Sequence, residues 1–159
     1  MEIVKEMMRM KGIEIYINSH NSVLREVLYE VFSKVPAGLC CFSSDYEVVT
    51  ENAEKELPQP ALPKDLAELL TAEGTVMTCG RFFCYPLGVP DMPMITVDDF
   101  EESSCETAIL VIDGSYIDIY SKNSAYLKEV MEFLNQQNKE IVKSEYVCGE
   151  NIGRTTFEI

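Results

Sequence analysis

Asp118 is the residue whose setting most invites chemistry. It lies in Tyr116-Ile-Asp-Ile-Tyr120, which follows Ala108-Ile-Leu-Val-Ile112 and the turn dipeptide Asp113-Gly114. A two-residue hairpin at Asp113-Gly114 sets Asp118 opposite Ile109, on a face with Val111, Tyr116 and Tyr120, while Ile117 and Ile119 point the other way with Leu110. A carboxylate on a half-buried aromatic face needs a cation, and Arg154 or Lys122 could supply it. One reading is an ion pair at the sheet margin. The other is a small polar binding site of Tyr116, Asp118, Tyr120, Asn151 and Arg154.

A second acidic group, Asp98, Asp99, Glu101, Glu102 and Glu106, lacks the alternating ligands and central glycine of a calcium loop and reads as a solvated helix start favoured by the helix dipole. The six cysteines (Cys40, Cys41, Cys79, Cys84, Cys105, Cys148) contain one pair at zinc spacing, Cys79 and Cys84. Cys40-Cys41 is a poor second pair, because adjacent strand residues face opposite ways. Without a secretory leader at the start of the chain, the cysteines read as free thiols in a reducing compartment. Cys84 follows Arg81 by three positions, which places the two on opposite strand faces. His20 is the single histidine, no Gly-x-Ser-x-Gly elbow is present, and neither phosphate-binding glycine pattern occurs. No metal, no cofactor and no catalytic residue is assigned.

The charge balance restricts partners. With 27 acidic and 13 basic residues the net charge is −14, which repels phosphate backbones and anionic lipid. The longest apolar run, Ala108 to Ile112, falls far short of a membrane span. Eleven of the fourteen surplus charges lie in residues 37–56 and 98–118.

Several elements must position these groups. Gly12 to Ile17 alternates as a strand, and Leu24, Val27, Leu28, Val31 and Val35 recur at helical spacing. Leu39 to Phe42 and Tyr46 to Thr50 read as a hairpin about Ser43-Ser44-Asp45. Pro63 opens a short helix through Leu66, Leu69 and Leu70, with Gly74 beyond its end. Residues 75–87 read as extended and broken at Gly80, and Thr96 with Asp99 forms a capping box for a helix to about Ser103. Asn123 or Ser124 caps a helix carrying Leu127, Val130, Met131 and Leu134, and strands follow at 140–148 and 154–159. The stretches Ile13-Glu-Ile-Tyr16 with Leu24-Arg-Glu-Val-Leu28, and Ile117-Asp-Ile-Tyr120 with Leu127-Lys-Glu-Val-Met131, suggest two related strand-helix units. The expected fold is α+β, a mixed, largely antiparallel sheet with helices mainly on one face. At 159 residues the chain is expected to form one domain.

The segments Phe100-Glu-Glu-Ser-Ser-Cys105, Ile109 to Asp113, Tyr116 to Tyr120, Glu145-Tyr146 and Glu150-Asn-Ile-Gly-Arg-Thr155, with Met10-Lys-Gly-Ile-Glu-Ile-Tyr-Ile17 and Leu24 to Leu28, resemble an uncharacterised family of small Firmicute proteins known as a domain of unknown function. The resemblance covers the two ends and not residues 36–95. Ser121 stands where a cysteine is associated with that family. The resemblance implies a bacterial cytoplasmic protein whose domain proper, 10–159, begins near Met10, with residues 1–9 as an N-terminal extension or an upstream start, and it brings no activity.

The leading expectation is therefore a non-enzymatic acidic protein that binds a basic protein partner, as an inhibitor, immunity-type protein or adaptor would. It binds neither nucleic acid nor membrane. The alternative is a small-molecule-binding or hydrolytic enzyme with its site near Asp118 and Arg154. A third reading is homo-oligomerisation at a sheet edge, with 154–159 as the edge strand.

Overall fold

Strict alternation of Ile13, Ile15 and Ile17 with Glu14 and Tyr16 gives β1 (Gly12–Ile17) one apolar and one polar face. A computed structural model describes residues 10–18, 21–86, 90, 93–148 and 154–159. Around β1 stand α1 (Asn21–Ser33), β2 (Cys40–Thr50), β3 (Ala53–Glu54), α2 (Pro63–Leu70), β4 (Thr75–Tyr85), α3 (Val97–Glu102), β5 (Thr107–Ile112), β6 (Tyr116–Ser121), α4 (Ser124–Asn135) and β7 (Val142–Val147). The strands form one sheet in the order β3-β2-β4-β5-β6-β1-β7, with antiparallel pairing throughout. The fold is α+β.

The helices α1, α2 and α4 cover one face. Val27, Leu28, Val31, Phe32, Leu66, Leu70, Leu127, Val130 and Leu134 pack there on Ile13, Ile15, Phe82, Ile109, Val111, Ile117 and Ile119. Local signals account for the helix starts: Pro63 sits in the first turn of α2, and the Asn123 side chain accepts from the Tyr126 N–H to cap α4. On the opposite face α3 and residues 154–159 close a smaller core around Phe157, whose fully buried ring meets Phe83, Phe100 and Tyr120 edge-on at 5.4, 6.4 and 5.9 Å. Thr96 and Asp99 form the expected capping box at α3.

Four expectations are corrected. The Asp113-Gly114 turn has the expected positive φ angles, but Ser115 joins the loop, so Ile112 pairs with Tyr116 and Asp118 stands opposite Leu110 rather than Ile109. One residue of slip exchanges faces: Ile109 and Val111 join Ile117 and Ile119 under the helices, and Leu110 shares the second face with Tyr120. The turn is held by bonds from Gly114 N–H to Thr78 O and from Ile17 N–H to Ser115 O, both 2.8 Å. The proposed hairpin about Ser43-Ser44-Asp45 is instead one continuous strand, interrupted by a register shift between Ser44 and Val48 with Asp45 at φ 47°. The turn falls later, at Glu51 and Asn52, both with positive φ, as a two-residue hairpin requires. Residues 154–159 form only an isolated bridge, Thr96 to Thr156, because burying Phe157 carries the segment across the sheet rather than along its edge. Finally, Cys41 and Cys84 are not free thiols. They lie directly opposite each other on β2 and β4, fully buried, and form a disulfide.

The two similar stretches lie on neighbouring strands, β6 and β1, fifth and sixth in the sheet order. β1 and β6 pair with Ile13 opposite Ile119, Glu14 opposite Asp118 and Ile15 opposite Ile117. Glu14 and Asp118 hold matching places in Ile13-Glu-Ile-Tyr16 and Ile117-Asp-Ile-Tyr120, and the register sets them side by side.

Candidate functional site

Among the described residues, the second face of β6, β1 and β7 is left open beside the Phe157 core. Because β1 pairs on both sides with Glu14 in register with Asp118 and with Glu145, three carboxylates stand in a row across three strands. Opposed side chains in such ladders have Cβ atoms about 5 Å apart. One step along, Tyr16 lies between Tyr116 and Lys143, and the two tyrosine rings approach to 5.0 Å at a 39° tilt. These residues line a hollow of about 220 Å³.

The charges are unequally satisfied. Arg154 donates from Nε to an Asp118 oxygen at 2.8 Å, with Nη2 in ion-pair contact with the same oxygen at 2.7 Å, and both side chains are largely shielded from water. Its Nη1 reaches the carbonyl of Glu158 at 3.0 Å, and its backbone N–H donates to the Tyr120 hydroxyl at 3.0 Å. Asp118 and Tyr120 thus dock the C-terminal segment, and burial raises the Tyr120 hydroxyl above the ordinary tyrosine range. Glu14 has no ion pair or hydrogen bond through its carboxylate among the described residues. Partial burial and the facing Asp118 and Glu145 raise its carboxyl above the usual range, with Arg154 pulling the other way.

Of the residues singled out from sequence, Tyr116, Asp118, Tyr120 and Arg154 come together. Tyr116 and Asp118 line the hollow, whereas Tyr120 is 2% exposed and Arg154 acts from behind. Asn151 lies outside the described residues. Lys122, the other candidate partner, instead reaches the Ser103 carbonyl and lies 5.1 Å from the Phe100 ring centre. The acidic group Asp98, Asp99, Glu101, Glu102 and Glu106 does not line the hollow. Within it, Asp99 accepts from the backbone N–H groups of Ile95 and Thr96, which hold its carboxyl below the usual range, and Glu101 pairs with Lys11 at 2.9 Å. Asp98 and Glu102 are exposed.

Glu14, Tyr16, Lys143 and Glu145 were not singled out. The repeat carried a signal for the first two, since Ile13-Glu-Ile-Tyr16 mirrors Ile117-Asp-Ile-Tyr120; nothing in the pattern of β7 marked the others. Among the described residues, no group of three or more His, Cys, Asp or Glu side chains is arranged to hold a metal ion. The Cys105 thiol is fully buried and pushed up to about 12 by that burial, which makes it unreactive. No helix among the described residues is long and apolar enough to cross a membrane.

Comparison with known proteins adds a family of unknown function. Residues 10–158 match the family described as Protein of unknown function (DUF2691). An uncharacterized protein of Bacillus subtilis (strain 168), YncE, is 27% identical over 75 residues, covering 47% of this chain and 48% of the relative. The chain thus spans about half the length of that curated relative. No solved structure matches.

Proposed function

Since the chain belongs to this family, whose description names no activity, we propose from the chemistry of the site that it is a non-enzymatic interaction protein. A lysine or arginine side chain of a basic partner enters the hollow over β6, β1 and β7. The observation that carries this reading is Glu14, a carboxylate set between two others with no ion pair of its own among the described residues. An incoming cation relieves the repulsion, and the Tyr16 and Tyr116 rings offer π faces to its stem and head. The size of the hollow, about 220 Å³, suits one side chain and falls below the ~300 Å³ at which small-molecule pockets begin. The chain's negative field steers such a partner and makes binding salt-dependent.

A cytoplasmic setting is part of this proposal. The Cys41–Cys84 bridge weighs against it, because disulfides persist mainly in oxidising compartments; thiol trapping in intact cells decides the point.

The test of function is paired affinity purification from the native host at low salt, with wild-type and Glu14→Gln baits. A basic protein that is held by the wild type, released by salt and lost from the Glu14→Gln bait supports the reading. Equal retention of every basic protein by both baits refutes it.

A further inference from the structure

Among the described residues the sheet has one long free edge. At one end the two residues of β3, together with Lys55, Gln59 and Ala61, bond along the outer side of β2, whereas at the other the six residues of β7 pair with β1 alone. The ladder shows which main-chain groups of β7 remain unpaired. Asn18 N–H donates to the Ile141 carbonyl at 2.7 Å and Lys11 N–H to the Val147 carbonyl at 2.8 Å, so odd-numbered residues turn their peptide groups toward β1. By alternation, the N–H and C=O groups of Val142, Ser144 and Tyr146 point outward along the edge. Lys143 and Glu145 are exposed on the face that carries the hollow.

We propose that β7 pairs antiparallel with β7 of a second copy of this chain, about a two-fold axis at Ser144, so that the two sheets become one. Ser144 then forms a hydrogen-bonded pair with its own counterpart, and Val142 does so with Tyr146 of the partner subunit. Between these lie non-hydrogen-bonded positions, where side chains approach most closely, and there Lys143 faces Glu145 of the partner subunit, twice by symmetry. Moving the axis one residue in either direction sets lysine against lysine at 143 or glutamate against glutamate at 145, which opposed strands disfavour. The charge pattern therefore selects one register, and the isologous contact closes after two chains. It also removes the row of unpaired groups that makes a free edge a liability. Glu14 still has no cation in this arrangement, so the dimer neither requires nor excludes the binding role proposed above.

The experiment is sedimentation velocity on the full chain at low ionic strength, with circular dichroism to confirm that each variant is folded. The wild type should sediment at twice its 18.0 kDa chain mass. Lys143→Glu and Glu145→Lys should each weaken the dimer by at least about tenfold, since each replaces two attractive pairs by two repulsive ones. The double variant Lys143→Glu/Glu145→Lys should restore it, and mixing the two single variants should give a heterodimer. A monomeric wild type, or a dimer that neither single reversal weakens, overturns the proposal. Weakened single variants that neither the double swap nor mixing rescues overturn the register.

Discussion

Replacing Phe157 by alanine tests how the second face is held together and how Arg154 is kept in place. The ring is fully buried and meets three others edge-on. Its loss forfeits roughly 2 kcal/mol of transfer free energy and opens a void on the order of 100 Å³, at about 24 cal/mol per Å³. Together these give about 4 kcal/mol, and the lost edge-to-face pairs, each worth ~1 kcal/mol, push the figure upward. If residues 154–159 lift off instead of leaving a void, the cost shifts to the stranded Asp118 and the lost Arg154 bonds, and stability still falls. Urea unfolding followed by far-UV circular dichroism measures the difference, with Ile159→Ala, at a side chain 44% exposed, as a control expected to cost under about 0.5 kcal/mol. A Phe157→Ala loss below about 1 kcal/mol would refute the argument that this ring anchors the segment.

Gly12→Ala should destabilise by about 2 kcal/mol or more, because a Cβ there would lie 2.0 Å from the backbone oxygen of Ile119; an unchanged urea midpoint would count against the β1–β6 approach. Glu14→Gln should raise stability at neutral pH and leave it unchanged in acid. With the folded carboxyl raised above its ordinary value of 4.5, the unfolded chain ionises first as pH rises, so wild-type stability drops between the unfolded and folded pKa values. Parallel denaturation at acid and neutral pH reads this, and a variant no more stable than wild type at neutral pH contradicts it. Removing the Cys41–Cys84 bridge with paired alanines should cost up to about 4 kcal/mol, from loop closure over a separation of 43 residues; a loss under about 1 kcal/mol would show that the bridge constrains little.

Where one physical signal decided an element, the sequence was enough. Pro63, the Thr96–Asp99 box and the Asn123 cap each act within a turn of the residue that carries them, and α2, α3 and α4 start as expected. The pairing of Asp118 with Arg154 was legible for a different reason, since a carboxylate on an aromatic face admits few partners. Errors arose where distant burial chose between locally equal options. Asp113-Gly114 is compatible with a loop of two or three residues, and only the gathering of Ile117 and Ile119 under α1 and α4, beside Ile13 and Ile15, selects three. Phe157 alternates like a strand residue, but the sockets offered by Phe83, Phe100 and Tyr120 turn its segment across the sheet. Cys41 and Cys84 are 43 residues apart, and nothing short of the β2–β4 register brings them together. Glu145 and Lys143 entered the site only because β1 lies between β6 and β7, a strand order that the sequence does not announce.

Arg154 acts as an internal mimic. At Asp118 the chain supplies its own guanidinium, bonded through Nε; Glu14, set beside Asp118 on the neighbouring strand, has no such partner among the described residues. Arg154 thereby provides a template for a guest at Glu14, a planar cation on the same face of the sheet. A peptide that copies Arg154 and its neighbours Thr155 and Thr156 is thus a rational first probe for Glu14, drawn from the protein's own tail.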